Sequence, residues 1–251
     1  MRSMRVFGLL ALAGAALLLA AAVPASGSVA SIVTRDTFYS MLRQGHHEGG
    51  DGGCDGGAFF YTYEAASTLR GFGTTGDQAT RRRELAAFFA QTSHETTGYC
   101  WVKQRSPAGD QYYGRGPMQL TREHNYRRAG DALGRPDLVG RPDLVSTDPV
   151  VAFKTAIWFW MTPRHGALKR PSCHVVMTGG WRPSRRDRRA GRLPGCGMTN
   201  NIIGGGLACG KRHGTPQGRD RVGYYKRYCR LLRVRLGRNV ACIKSKMQAR
   251  S

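Results

Sequence analysis

Acidic side chains are scarce in this sequence. Its 251 residues hold sixteen Asp and Glu against thirty-nine Lys and Arg, a formal net charge of +23 at pH 7. Such a surplus attracts polyanions, whether nucleic acid, acidic polysaccharide or membrane headgroups, and says nothing about fold. The arginines cluster at Arg81 to Arg83, Arg182 to Arg192 and Arg227 to Arg238. No helix-turn-helix, zinc-finger or RNA-recognition pattern surrounds them, so no specific nucleic-acid partner is expected and the clusters read as solvated basic faces. Alternating strands are equally scarce, Gly114 to Leu120 being at most a short one, which points away from an all-β fold. There is no Cys-x-x-Cys pair, and the one close approach of Cys to His is Cys173-His174. Neither a metal site nor a cofactor is therefore expected.

What is present begins with an export signal. Met1 to Arg5 carries two arginines, Val6 to Val23 is almost uninterrupted Leu, Ala, Gly and Val, and Val23-Pro24-Ala25 ends in a small residue. Residues 1–25 read as a secretory signal peptide, with a membrane anchor as the competing reading. Export would make the protein secreted and extracellular, with no membrane association once the signal is removed. The seven cysteines would then meet an oxidising compartment, where disulfides are the default and an odd number leaves at least one thiol over. The length that remains, residues 26–251, is ample for a hydrophobic core.

Three helical stretches stand out after a short one at Ser31 to Leu42. From Thr80 to His94, Leu85, Ala86, Phe88, Phe89 and Ala90 recur on one face, and the helix delivers His94-Glu95 at its C-terminal end. From Pro149 to Met161 the residues are apolar nearly all round, as in a central buried helix, with Asp148-Pro149 opening it and Pro163 closing it. A last helix, Asp220 to Leu232, is expected to turn Val222, Tyr225, Leu231 and Leu232 inward. Gly45 to Gly57, around Cys54, reads as a loop, and Thr178 to Gly197 as irregular. The near-repeat Arg135 to Gly140 and Arg141 to Ser146 is too short for a solenoid and reads as a duplicated loop.

Glu95 is the best-placed acid. A carboxyl at the end of an apolar helix can be held protonated by burial and serve as a general acid, although a lone Glu is more often a solvated charge or an ion-pair partner. Five strings change that balance: GFGTTG (Gly71 to Gly76), QTSHETTG (Gln91 to Gly98), YYGRGPMQLT (Tyr112 to Thr121), FKTAIWFWM (Phe153 to Met161) and GYYKRYC (Gly223 to Cys229). In this order they resemble the successive signatures of plant-type glycoside hydrolase family 19 chitinases, over roughly Val29 to Cys242 and with no cysteine-dense chitin-binding module before them.

The resemblance implies a mainly α, lysozyme-like, two-lobed catalytic domain whose cleft binds chitin, acting as a monomeric endochitinase of defence or wall type that hydrolyses β-1,4-linked N-acetylglucosamine with inversion. Inversion needs two carboxyl groups about 6.5 to 9.5 Å apart, one protonating the leaving oxygen and one activating water. Glu95 matches the family's general acid. The general base is a Glu four residues after the cysteine that follows His-Glu-Thr, and that position, counted from Cys100, is Gln104. No carboxylate stands between Glu95 and Asp110, so base assistance should be lost, unless Asp110 supplies it. A chitinase-like protein that holds glycans without cutting them is the alternative. A second departure is Ala208, where the family carries a Glu that shares an arginine, here Arg221, with the acid; Arg221 then leans on Glu95. The family's disulfide-bearing loop between Arg105 and Gln111 is missing.

Other positions match substrate-contacting groups: Gln119, Thr121 as the hydroxyl that helps hold the attacking water, Asn125, Asn201 and the cleft aromatic Tyr113. Asn201 could equally be a turn residue. The resemblance also implies disulfides Cys54–Cys100 and Cys209–Cys242 and an unpaired Cys229. Cys173 and Cys196 have no family counterpart and are expected to pair with each other.

Overall fold

The computed structural model of the protein describes residues 28–42, 69–105, 109–163, 170–204 and 215–242. The expected signal peptide, the loop Gly45 to Gly57, Cys54, Ala208 and Cys209 lie outside them. Among the described residues the chain forms helices α1 (Val29–Ile32), α2 (Arg35–Leu42), α3 (Gln78–Glu95), α4 (Glu123–Leu133), α5 (Leu144–Thr147), α6 (Pro149–Met161), α7 (Cys173–Met177), α8 (Arg185–Arg189), α9 (Cys196–Ile203) and α10 (Pro216–Leu231), with a 3₁₀ turn at Pro136–Leu138. No strand accompanies them; Gly114 to Leu120 contributes only isolated bridges, Arg115 with Lys103 and with Leu120.

The longest helix, α3, starts where Asp77 Oδ1 accepts the Thr80 N–H at 2.7 Å. Ten consecutive residues, Glu84 to Ser93, are buried. Phe88 meets Trp160 edge-on at 5.6 Å and Phe72 at 4.9 Å, a geometry that adds to the roughly 1.5–3 kcal/mol per buried aromatic from area alone. Glu84, fully buried, does not break this packing because both its oxygens have hydrogen-bond partners. Its Oε1 accepts from Trp160 Nε1 at 3.0 Å and lies 2.6 Å from His174 Nδ1, and its Oε2 accepts from the Gly73 N–H at 3.1 Å. The Gly71 to Gly76 turn is thereby tied to α3, α6 and α7.

Helix α6 runs from Pro149 to Met161 as the sequence predicts, with Asp148 Oδ1 accepting from Val150 and Val151 N–H at 2.9 and 3.1 Å. It is apolar all round because it serves two cores. Phe153, Ala156, Ile157 and Trp160 belong to a large core with α2, α3, α9 and α10, whereas Val151 and Trp158 belong to a smaller one with Leu120, Tyr126, Ala129, Leu138 and Val145. The molecule thus has two lobes sharing one wall.

Several expectations need correction. The segment from Ser31 to Leu42 is two helices, α1 and α2, broken at Val33-Thr34, where the Thr34 hydroxyl accepts from Thr37 N–H. The last helix begins earlier, at Pro216, capped by Thr215; Tyr225 and Leu232 are buried as expected, with Arg221, Tyr228 and Cys229, whereas Val222 is half-buried and Leu231 is exposed. Thr178 to Gly197 is not wholly irregular, since a capping box of Ser184 and Asp187 starts α8 within it. Cys173 and Cys196 do not pair with each other: both, with Cys229, are buried thiols outside any disulfide. Burial pushes the Cys196 thiol up to about 12 and that of Cys229 up to about 11, the mark of inert structural thiols. Cys100 and Cys242 are each disulfide-bonded.

Candidate active site

Glu95 is the last residue of α3, and the way that helix ends fixes where the carboxyl points. Thr97 takes a left-handed conformation (φ 51°), the Gly98 N–H bonds the Ser93 carbonyl at 2.7 Å and the Thr97 N–H bonds that of His94 at 3.4 Å. This Schellman closure stops the helix within one residue of Glu95. The carboxyl is about one-fifth exposed. Arg221, buried on α10, donates through Nη2 to Glu95 Oε1 at 2.6 Å and through Nη1 to Gln91 Oε1 at 2.6 Å. Gln91 in turn donates to Asn200 Oδ1 and, at 3.2 Å, to Thr199 Oγ1 on α9. Arg221 therefore does not lean on Glu95 alone; it is shared within a buried network that joins α3, α9 and α10. Beside it His94 Nδ1 sits 2.6 Å from Asp220 Oδ2.

Glu95 opens onto a cleft of about 290 Å³ between the two lobes. Gln119, Thr121 and Asn125 line its opposite wall, and Phe159 of α6 and Ile203 of α9 its sides. Asn125 is oriented by its own backbone neighbour, Nδ2 donating to the Thr121 carbonyl at 2.8 Å. Gln119 (φ 47°) and Arg122 (φ 69°) hold left-handed backbone conformations, which cost of order 1–3 kcal/mol each and gather at binding sites. A second hollow of about 110 Å³ shares His124, Asn125 and Phe159 and extends the cleft to Arg128 and Trp158. Glu95 is the one carboxylate lining the cleft among the described residues.

Four candidates stand elsewhere. Gln104 is exposed and outside the cleft lining; its Oε1 accepts from the Gly114 N–H at 3.2 Å, and its own N–H bonds the Gly114 carbonyl at 2.9 Å. A Cβ at Gly114 would come within 2.6 Å of Gln119 Oε1 and 3.5 Å of Gln104 Oε1, so a side chain there would have to displace the Gln119 amide. Tyr113 packs its ring 3.5 Å from the guanidinium of buried Arg115, which also bonds Asp143 and the Tyr126 hydroxyl. Burial pushes the Tyr126 phenol up to about 12, against the pull of Arg115. Asn201 is no turn residue but a buried position on α9, and its Oδ1 lacks any hydrogen-bond partner. Asp110 accepts from the Tyr112 N–H and is absent from the cleft lining. Gln91 escaped the sequence reading although its spacing of four from Glu95 puts both on one helix face; Arg122, His124, Phe159 and Ile203 carried no signal of their own.

A lone carboxyl on an inter-lobe cleft of amides and hydroxyls suits a neutral polysaccharide, and the comparisons agree. The sequence model of glycoside hydrolase family 19, chitinase class I, matches residues 32–242. The chain belongs to this family. It is 56% identical to "Chitinase 11" of Oryza sativa subsp. japonica, covering 93% of this chain and 95% of that protein. It is 49% identical to the "Basic endochitinase" of Vitis vinifera, with 86% and 76% covered. Among solved structures, chitinase C from Streptomyces griseus superimposes with a TM-score of 0.67 at 29% identity, covering 84% of this chain and 97% of that one. The family 19, class IV chitinase from Zea mays gives 0.65 at 32% identity, with 84% and 98% covered. The mainly helical, lysozyme-like architecture of a family 19 chitinase is thus the fold of this chain, and chitinase-type glycoside hydrolysis is its chemistry. Among the described residues no helix is long and apolar enough to cross a membrane, and no group of three His, Cys, Asp or Glu could hold a metal.

Proposed function

We propose that the protein is an exported, monomeric endochitinase that cuts β-1,4-linked N-acetylglucosamine polymers with inversion, slowly, because Gln104 stands where a general base is needed. The observation that carries this reading is the cleft itself: Glu95 at the end of α3 faces Gln119, Thr121 and Asn125 across the inter-lobe space. Glu95 gives its proton to the glycosidic oxygen as the bond to C1 breaks. Water held by the Thr121 hydroxyl attacks C1 from the opposite face, and its proton passes to solvent rather than to a carboxylate. Gln104 lies outside the cleft lining with its Oε1 on the Gly114 N–H, and an amide there cannot take the water's proton, so base assistance, typically 10² to 10⁴-fold, is missing. Asn125 serves as a sugar-contacting group in the cleft, whereas Tyr113, packed on Arg115, and the buried Asn201 stand outside its lining and act on the sugar site only indirectly.

Residues 1–25 act as the export signal and 26–251 as the catalytic domain, with Cys54–Cys100 and Cys209–Cys242 as its disulfides. Arg221 positions Glu95 by a direct bond and is itself held by Gln91. The test is the anomeric form of freshly released products from a chitin oligomer, read by proton NMR, together with Glu95→Gln. The α-anomer from the natural protein and loss of turnover in Glu95→Gln are expected; β-product, or full turnover in Glu95→Gln, would overturn the reading.

A further inference from the structure

The positive charge of this chain is not spread evenly. From Arg170 to Ser251 there are twenty Lys and Arg against two acids, Asp187 and Asp220; the preceding 169 residues hold nineteen against fourteen. Both late acids are engaged, Asp187 with Arg192 and Asp220 with His94. The fold then brings sequence-distant arginines together along the segment 233–239. Arg82, near the start of α3, reaches the Arg233 carbonyl at 3.5 Å. Arg83 lies so close to Gly237 that a Cβ there would be 3.2 Å from its Cδ. At the other end a Cβ on Gly195 would be 2.5 Å from the Arg238 carbonyl, and Asn239 Nδ2 donates to the Pro194 carbonyl at 2.9 Å, joining the segment to the stretch that follows Arg192.

The segment is held firmly enough to present charge. Val234 and Leu236 pack on the large core, the Val234 N–H bonds the Cys229 carbonyl at 2.9 Å, and the Tyr225 hydroxyl donates to the Leu236 carbonyl at 2.7 Å. Arg233, Arg235 and Arg238 are left exposed, with Arg230 beside them on α10. Arg235 alternates with the inward Val234 and Leu236, and the positive-φ turns at Arg233 (φ 50°) and Gly237 (φ 76°) bend the chain on either side of it. None of these four, nor Arg82, takes part in any of the ion pairs among the described residues.

We propose that this face, built on Arg82, Arg230, Arg233, Arg235 and Arg238, is a second binding site, distinct from the cleft, for a carboxylate-bearing polysaccharide. Guanidinium forks pair bidentately with carboxylates. A single-stranded nucleic acid would add aromatic stacking platforms, and bilayer insertion would add several apolar side chains; Leu231, beside Arg230, is the one exposed large hydrophobic among the described residues, so anionic lipid held by charge alone is left to the experiment. Arg82 and Glu95 are thirteen residues apart on one helix, or about 20 Å at 1.5 Å per residue. An anionic chain can therefore occupy the basic face while the cleft holds a neutral one, anchoring the enzyme in a mixed wall matrix.

The test uses the full protein and polygalacturonate as probe, with binding followed by isothermal calorimetry at low and high salt. Arg233→Glu/Arg235→Glu/Arg238→Glu should weaken binding at least roughly tenfold and leave chitin-oligomer binding unchanged, which also reports that the variant is folded. The milder Arg233→Gln/Arg235→Gln/Arg238→Gln should lose affinity in proportion to charge removed. Arg70→Glu/Arg127→Glu/Arg141→Glu makes the same change in net charge among exposed residues elsewhere and should bind nearly as the natural protein does. Equal loss in both charge-reversed triples would show that affinity follows net charge alone and would overturn the site. So would duplex DNA or phosphatidylserine vesicles binding through Arg233, Arg235 and Arg238 as tightly as polygalacturonate.

Discussion

Arg221 spans Glu95 and Gln91 with one guanidinium, at 2.6 Å to each carboxyl or amide oxygen. The same side chain therefore orients the candidate acid and locks α10 onto α3. Lysine carries its three donors on one nitrogen and lacks the planar fork whose two nitrogens reach Glu95 and Gln91 here. Arg221→Lys should lower chitin hydrolysis on the order of 10²-fold by misplacing Glu95 and cost about 1–3 kcal/mol of stability through the unpaired Gln91 oxygen. Oligomer hydrolysis and urea unfolding of the same preparation read both effects.

Glu84 is the buried charge on which the first lobe closes, with Trp160, His174 and Gly73 as its donors. Removing one partner of such a pair strands the other. His174→Ala should destabilise the protein by roughly 3–5 kcal/mol, measured by urea unfolding, with little effect on oligomer binding in the variant that remains folded, since His174 is remote from the cleft lining.

The cysteines make a countable prediction. With Cys173, Cys196 and Cys229 buried and outside any disulfide, three thiols should react with Ellman's reagent after unfolding without reductant, and essentially none in the native protein. A count of one after unfolding would restore the Cys173–Cys196 bridge.

Alkaline stability should fall early. The Tyr126 phenol is raised from 10.0 to about 12 by burial, and burial drives those of Tyr225 and Tyr228 higher still. Above pH 10 the unfolded chain releases these protons while the folded chain keeps them, so unfolding is favoured progressively as pH rises. The thermal midpoint should drop between pH 10 and 12 with cooperative appearance of tyrosinate absorbance. Tyr126→Phe should be less stable at neutral pH, through loss of its bonds to Arg115 and the Tyr113 carbonyl, and should show a shallower alkaline decline.

Much of the frame was legible in the residues. The all-round apolar surface of Pro149 to Met161 announced a helix buried on every side, and the two cores explain why. The acid at the end of Thr80 to His94 was legible too, because helix periodicity and the His-Glu-Thr string coincide. Glu84 was not: in the sequence it closes a charged run, and its partners Trp160 and His174 lie 76 and 90 residues away. Leu231 was misplaced because α10 starts at Pro216 and its phase is set by Arg221, Tyr225 and Tyr228, polar-tipped residues that a hydrophobic count undervalues. The side chains that shape the cleft, Arg122, His124 and Ile203, gather only through tertiary packing.

The most direct test of the account is the rate of chitin-oligomer hydrolysis by the natural protein and by Gln104→Glu, measured side by side. A carboxylate returned to that position should raise turnover at least tenfold, within the roughly 10² to 10⁴-fold that base assistance supplies, and Glu95→Gln placed on that background should abolish the gain. A natural protein that already turns over as fast as Gln104→Glu would contradict the claim that its catalytic pair is incomplete.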